Sequence, residues 1–181
     1  MTFEEKTLKE NTIFEGRIIT VRDDKVLLPN GKEAGREVVA HNGGVCVAVL
    51  TDENEVLMVR QFRYPYRKEL LEIPAGKLEL GEDPYQAGLR EAEEETGVRP
   101  KAMHSLGLFY PTPAYCNEII HMYYADEYEV TSQNLDEDEF LSSEKIKLCD
   151  AVKMIMNGEI KDGKTQAAIL KLAMIKGEKY E

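Results

Sequence analysis

Glu91, Glu93, Glu94 and Glu95 crowd one short run of the chain, directly behind Arg90 and just ahead of Gly97. On a helix, residues three and four apart share a face, so Glu91, Glu94 and Glu95 would present their carboxylates together, where like charges repel. They would also occupy the last turn, at the negative end of the helix dipole, where each carboxylate is unfavourable by about 0.3–1 kcal/mol. Such a helix is poorly designed for stability alone, and a multivalent cation would resolve the conflict. Oxygen donors with no nearby Cys or His suit a hard ion, Mg²⁺ or alternatively Mn²⁺, rather than zinc. An isolated glutamate run is more often a solvated helix face, so the residues around this one must decide.

They point to a positioned helix. Asp83 can cap its start, Pro84 fits the first helical position, Gln86 sits where a capping box places its partner, and Gly97 is a natural left-handed stop. Gly76, Glu82, Arg90, Glu91, Glu94, Glu95 and Gly97, with Ala92 and Val98 at two aliphatic positions, fill the pattern of the Nudix box. The stretch therefore resembles the Nudix hydrolases; Ala92 is smaller than the aliphatic residue usual at its position. The resemblance implies an α+β fold, a Nudix α-β-α sandwich with a mixed sheet. It also implies metal-dependent hydrolysis of a diphosphate linked to a second group.

The elements on either side must hold that helix. Residues from about Asn11 to His41 alternate like strands, with a hairpin signal at Pro29-Asn30-Gly31-Lys32 and a strand near Arg36 to Val39. This is too little chain to hold a core by itself. Val45 to Leu50 reads as a buried strand, Val56 to Arg63 as its return, and Glu69 to Pro74 as the approach to the box. Strands near Ser105–Tyr110, Glu118–Ala125 and Phe140–Leu148 follow the helix, and two helices close the chain, at Asp150–Met156 and about Gly163–Lys176. Strands mixed with helices imply an α+β sandwich. We divide the chain into an N-terminal antiparallel β segment, 1–42, for dimerisation or substrate cover, and a Nudix hydrolase domain, 43–181.

With 181 residues the chain can bury a substantial core. Its net charge of −11 argues against nucleic acid or an anionic membrane as partner. It leaves room for an anionic substrate, because bound cations invert a local field. Cys46, Cys116 and Cys149 lack CxxC spacing and read as reduced thiols. With no apolar leader behind Met1 and no run of membrane-spanning length, we expect a cytoplasmic protein. His41, His104 and His121 share no metal-ligand spacing.

Resemblance outside the box narrows the branch. Members acting on ADP-ribose carry a proline some fifteen residues beyond the box, and Pro113, after Thr112, stands there. Arg36-Glu37 resembles the substrate-facing Arg-Glu pair of that branch, Gln61-Phe62-Arg63 its ribose- or phosphate-binding element, and Asp136-Glu137-Asp138-Glu139 its acidic loop. Carried over residue by residue, the resemblance makes Glu91 and Glu95 metal ligands with the Ala75 carbonyl, and Glu94 a third ligand or an orienting group. Arg90 would hold the glutamates in place. Glu137 is the expected general base and Glu139 a further metal ligand, with their roles exchangeable. Arg36, Glu37, Arg63, Lys77, Thr112 and Pro113 would contact substrate, and Arg17 or Phe14 would stack on adenine. The implied reaction is ADP-ribose plus water giving AMP and ribose 5-phosphate, performed by a homodimer formed through swapped N-terminal β segments. Broader cleavage of ADP-sugars and a non-catalytic ADP-ribose sensor are the alternatives.

Overall fold

Strand β5, Gly44–Val49, is buried along its whole length, as expected of an apolar run covered on both faces. Side chains alternate across a strand, and here the two sets enter different cores. Cys46 and Ala48 join Met58, Leu71, Ile73, Met122, Leu148 and Ile169 in one cluster. Val47 and Val49 join Leu57, Ala92, Val98, Met103 and Ala125 in another. Helices therefore cover both faces of β5, in a computed structural model that describes residues 2–135 and 140–178.

Two compact units make up the chain: residues 1–43 with 110–119, and residues 44–109 with 120–181. In the first, β3 (Ile19–Leu27) pairs antiparallel with β1 (Lys6–Lys9), β2 (Thr12–Glu15) and β4 (Glu33–His41). The β3–β4 turn falls on the expected Pro29–Lys32 stretch, with Gly31 at φ 81°, a conformation that costs glycine little. Within the alternating stretch, β3 is one continuous strand of nine residues. Segment 110–119 joins this unit through Val39, whose amide donates to the Tyr115 carbonyl (2.7 Å) and whose carbonyl accepts from Asn117 (3.1 Å).

In the second unit, β5 lies parallel to β11 (Ile120–Ala125) and antiparallel to β8 (Ala75–Lys77), with β10 (His104–Phe109) beyond β11, so this sheet is mixed. Strand β6 (Glu55–Arg63) is flanked by β7 (Lys68–Glu72) and β13 (Leu141–Lys147). A short ladder joins β9 (Val98–Pro100) to β12 (Tyr128–Val130). Helix α1 (Pro84–Thr96) packs on the Val47 side; α2 (Leu148–Met156) and α3 (Gly163–Lys176) contribute to the Cys46 side. The architecture is the α+β, α-β-α sandwich with a mixed sheet, accompanied by N-terminal antiparallel strands. Among the described residues no helix is long and apolar enough to cross a membrane.

Candidate active site

Helix α1 begins and ends on the residues its sequence marks. The Asp83 carboxylate accepts from the Gln86 amide at 3.0 Å, and Gly97 closes the helix at φ 68°. Its buried residues, Ala87, Gly88, Glu91, Ala92 and Glu95, form one stripe. Its small members let the helix lie close to its neighbours: a Cβ on Gly88 would come within 2.9 Å of Met103 Cε and 3.2 Å of Val45 Cγ2. Ala92 is fully buried among Val47, Val49 and Leu57, so its small size suits a close approach of helix to sheet.

That approach carries Glu91 and Glu95 inside, where they are 8% and 2% exposed. Both meet the backbone of β8. The Ala75 amide donates to Glu95 Oε2 at 3.0 Å. A Cβ on Gly76 would fall 1.8 Å from Glu91 Oε1, so glycine is required for the carboxylate to lie against the strand. Arg90 gathers the remaining acids: Nη1 meets Glu91 Oε1 and Glu94 Oε2 at 2.9 Å each, and Nη2 meets Glu82 Oε1 at 3.1 Å. Burial works against the Arg90 charge, but Glu91, Glu82 and Glu94 outweigh it and hold the guanidinium protonated. The carbonyls at the end of α1 accept from the segment that follows β12: Gln133 Nε2 donates to Glu95 O at 2.6 Å and the Asn134 amide to Glu94 O at 3.0 Å. These are groups a helix leaves without intrahelical partners.

The donor set suits a hard divalent ion. Carboxylate oxygens converge at a backbone cradle that a side chain at position 76 would fill, and no Cys or His belongs to the box. Among the described residues no three acidic, His or Cys side chains stand close enough together to hold a metal ion in this arrangement; Glu94 is turned to Arg90. Glu137 and Glu139 lie outside the described residues.

The other expected residues separate by unit. Arg63, at the end of β6, belongs with the box: it makes a bidentate pair with Glu72, 2.7 Å on each arm, and the Glu95 charge is among those keeping it protonated. Lys77 is exposed at the end of β8. In the other unit, Arg36 donates to Glu5 (Nε to Oε2, 2.8 Å), and Glu37, its neighbour in an extended strand, projects to the opposite face. Pro113 is the second residue of a turn in which the Thr112 carbonyl accepts from the Tyr115 and Cys116 amides, at 3.3 and 3.0 Å. Phe14 is 55% exposed, with its ring against Gly16.

Sequence reasoning missed Glu72, Asp162, Lys164 and Thr165. Glu72, 1% exposed, pairs with both Arg63 and Lys164; Lys164 also reaches Asp162 Oδ2 at 3.0 Å. Asp162 caps α3 by accepting from the Thr165 amide at 2.9 Å, and Thr165 Oγ1 accepts from the Ile73 amide at 3.0 Å. Burial raises the Glu72 carboxyl, but the Arg63 hydrogen bonds and Lys164 prevail and bring it down to about 2. The Asp162 capping signal before α3 was the one local clue. Nearby Cys46 is pushed up to about 12, chiefly by burial, which makes it an inert thiol.

The Nudix domain family matches residues 40–165, and the nucleoside diphosphate sugar hydrolase N-terminal domain family matches residues 5–39. An ADP-ribose pyrophosphatase of Bacillus subtilis (strain 168) is 44% identical over 170 residues, 93% of this chain and 92% of its own. A methanol dehydrogenase activator of Bacillus methanolicus is 43% identical over 181 residues, covering 99% and 98%. A solved structure described as an ADP compounds hydrolase shares the fold, with a TM-score of 0.86 at 20% identity over 98% of each chain. With its box geometry in place, this chain belongs to the Nudix family, in the ADP-ribose pyrophosphatase branch, and is a hydrolase acting on diphosphate bonds.

Proposed function

We propose that the chain hydrolyses ADP-ribose to AMP and ribose 5-phosphate, using divalent ions, Mg²⁺ by preference, held at the face of α1. The observation that carries this reading is the burial of Glu91 and Glu95 against the backbone of β8, at a glycine that a side chain would displace. Burying carboxylates beside a negative helix end is costly unless positive charge compensates them. Bound divalent ions would neutralise the diphosphate, polarise a phosphoryl oxygen and acidify the attacking water.

Glu91, Glu95, the Ala75 carbonyl and Glu139 are the ligands we assign, with Glu94 a further ligand or an orienting group. Glu137 would take the proton of the water. Arg36 and Arg63 would bind the substrate's phosphate or ribose oxygens, a task suited to the forked guanidinium; the backbone around Lys77 and the Thr112-Pro113 element would shape the terminal-ribose side, and Glu37 is the further contact carried over from the branch. A homodimer through the N-terminal strands fits the exposure of Ile13, Phe14 and Ile18 there, at 61%, 55% and 53%, and light scattering at micromolar concentration would show twice the chain mass. A cytoplasmic setting fits three cysteines that are all free. Recovery of the activity in the supernatant after membranes are pelleted at high speed would agree with it, and recovery in the membrane pellet would oppose it.

Relatives named for different roles match almost equally well, so substrate choice needs direct measurement. The purified chain should be given ADP-ribose, ADP-glucose and ADP-mannose with Mg²⁺, Mn²⁺ or EDTA, and the products identified by mass. Metal-dependent AMP and ribose 5-phosphate, with ADP-ribose preferred at least about tenfold in kcat/KM, is the expected outcome. Even cleavage of all the sugars would support the broader reading favoured by the N-terminal family match. Binding without cleavage would overturn the catalytic assignment.

A further inference from the structure

We propose that Lys164 and Glu72 are positioning residues that hold the Arg63 guanidinium in a fixed plane as an anion-binding arm. The inference rests on the reading of Arg63 as a substrate contact and assigns that site two residues outside the box.

Each link is anchored by a stiffer one. Asp162 is fixed as the cap of α3 through the Thr165 amide. It holds the Lys164 ammonium at 3.0 Å, and that ammonium holds Glu72. Glu72 then takes two N–H groups of Arg63, from Nε and Nη2, at 2.7 Å each. A side-on bidentate pair sets the plane of a guanidinium as well as its place. Glu72 and Lys164 are buried, at 1% and 9% exposure, whereas the Arg63 side chain is 37% exposed. Its Nη1 nitrogen has no hydrogen-bond partner among the described residues. The network thus runs from a buried helix terminus to a half-exposed donor edge whose charge is coupled to Glu95 of the box. A buried ion network is weak evidence of a purely stabilising role, since apolar groups of similar volume often serve as well. One that ends on an open guanidinium edge suits bidentate binding of phosphate oxygens.

The test is a mutant cycle in steady-state hydrolysis of ADP-ribose with Mg²⁺, using Arg63→Ala, Lys164→Met and the double variant, each checked for folding by circular dichroism. Arg63→Ala and Lys164→Met should each raise KM about tenfold or more, as for a lost charge-assisted contact, with a smaller change in kcat. The double variant should be no worse than Arg63→Ala, because the lysine acts through the arginine. If Lys164→Met does not fold, the near-isosteric Glu72→Gln takes its place in the same cycle. Unchanged KM in Arg63→Ala would overturn the reading of Arg63 itself. A raised KM there with unchanged KM in folded Lys164→Met or Glu72→Gln would leave that reading standing and overturn the positioning role. Multiplying effects in the double variant would overturn it as well.

Discussion

The C-terminal end of α1 and the N-terminal end of α3 both gather buried carboxylates, and they treat charge in opposite ways. At α3, Asp162 caps the positive end of a helix, and Glu72 and Asp162 are matched by Arg63 and Lys164. At α1, Glu94 and Glu95 occupy the negative end, and Glu82, Glu91 and Glu94 converge on the guanidinium of Arg90. The first arrangement is balanced by two cations of the fold itself. The second, on the proposed function, would gain further from a bound divalent ion. Similar residue types are thus balanced by a lysine and an arginine of the fold in one place and, on the proposed function, by a bound ion in the other, and position relative to the helix dipole tells them apart.

Substitution should expose that difference. Glu95→Gln keeps an acceptor for the Ala75 amide, so we expect turnover to fall by about 10³–10⁴ while the metal-free stability holds or rises. Glu72→Gln should act mainly on stability and on substrate KM, costing about 3–5 kcal/mol in urea denaturation because buried Lys164 and half-exposed Arg63 lose their shared partner. Acid should sharpen the contrast. The Glu72 carboxyl is depressed from 4.5 to about 2 in the folded chain, so its stabilisation is complete above pH 4.5 and is lost as pH falls through about 2. In wild type this amounts to about 3 kcal/mol, and Glu72→Gln should remove that slope from pH-dependent unfolding curves. Mg²⁺ should stabilise wild type by about 1.4 kcal/mol at ten times its Kd, read as a rise in Tm, and leave Glu95→Gln nearly unmoved. Smallest of all, Asp83→Ala should cost about 1 kcal/mol by removing the α1 cap.

The two regions also differ in how far the sequence discloses them. Helix α1 was legible to the residue because its signals are local: Asp83-Pro84 at one end, Gly97 at the other, and between them a glutamate spacing that helical geometry puts on one face and that the surrounding box residues give a meaning. The buried β5 and closing helix α3 were legible for the same reason, through apolar runs and periodicity. Strands β8, β9 and β12, three residues each, carry no periodic signal and exist because distant strands pair with them. Lys164 and Glu72 stand 92 residues apart, and nothing near either one announces the other. Arg63 was singled out by resemblance, but its partner depends on the β6–β7 register, which no local pattern fixes. The closeness of Gly76 to Glu91 likewise emerges only once α1 lies on β8, although both residues stood in the motif from the start.

We propose that buried Glu91 and Glu95 form a divalent-ion site for diphosphate hydrolysis. Its most direct measurement is the rate of AMP release from ADP-ribose across a Mg²⁺ titration, in wild type and in Glu95→Gln. Wild type should show a saturable rise from no activity in EDTA, and the variant, still folded, a flat response. Activity that persists in EDTA, or a variant that titrates and turns over like wild type, would contradict the proposed site.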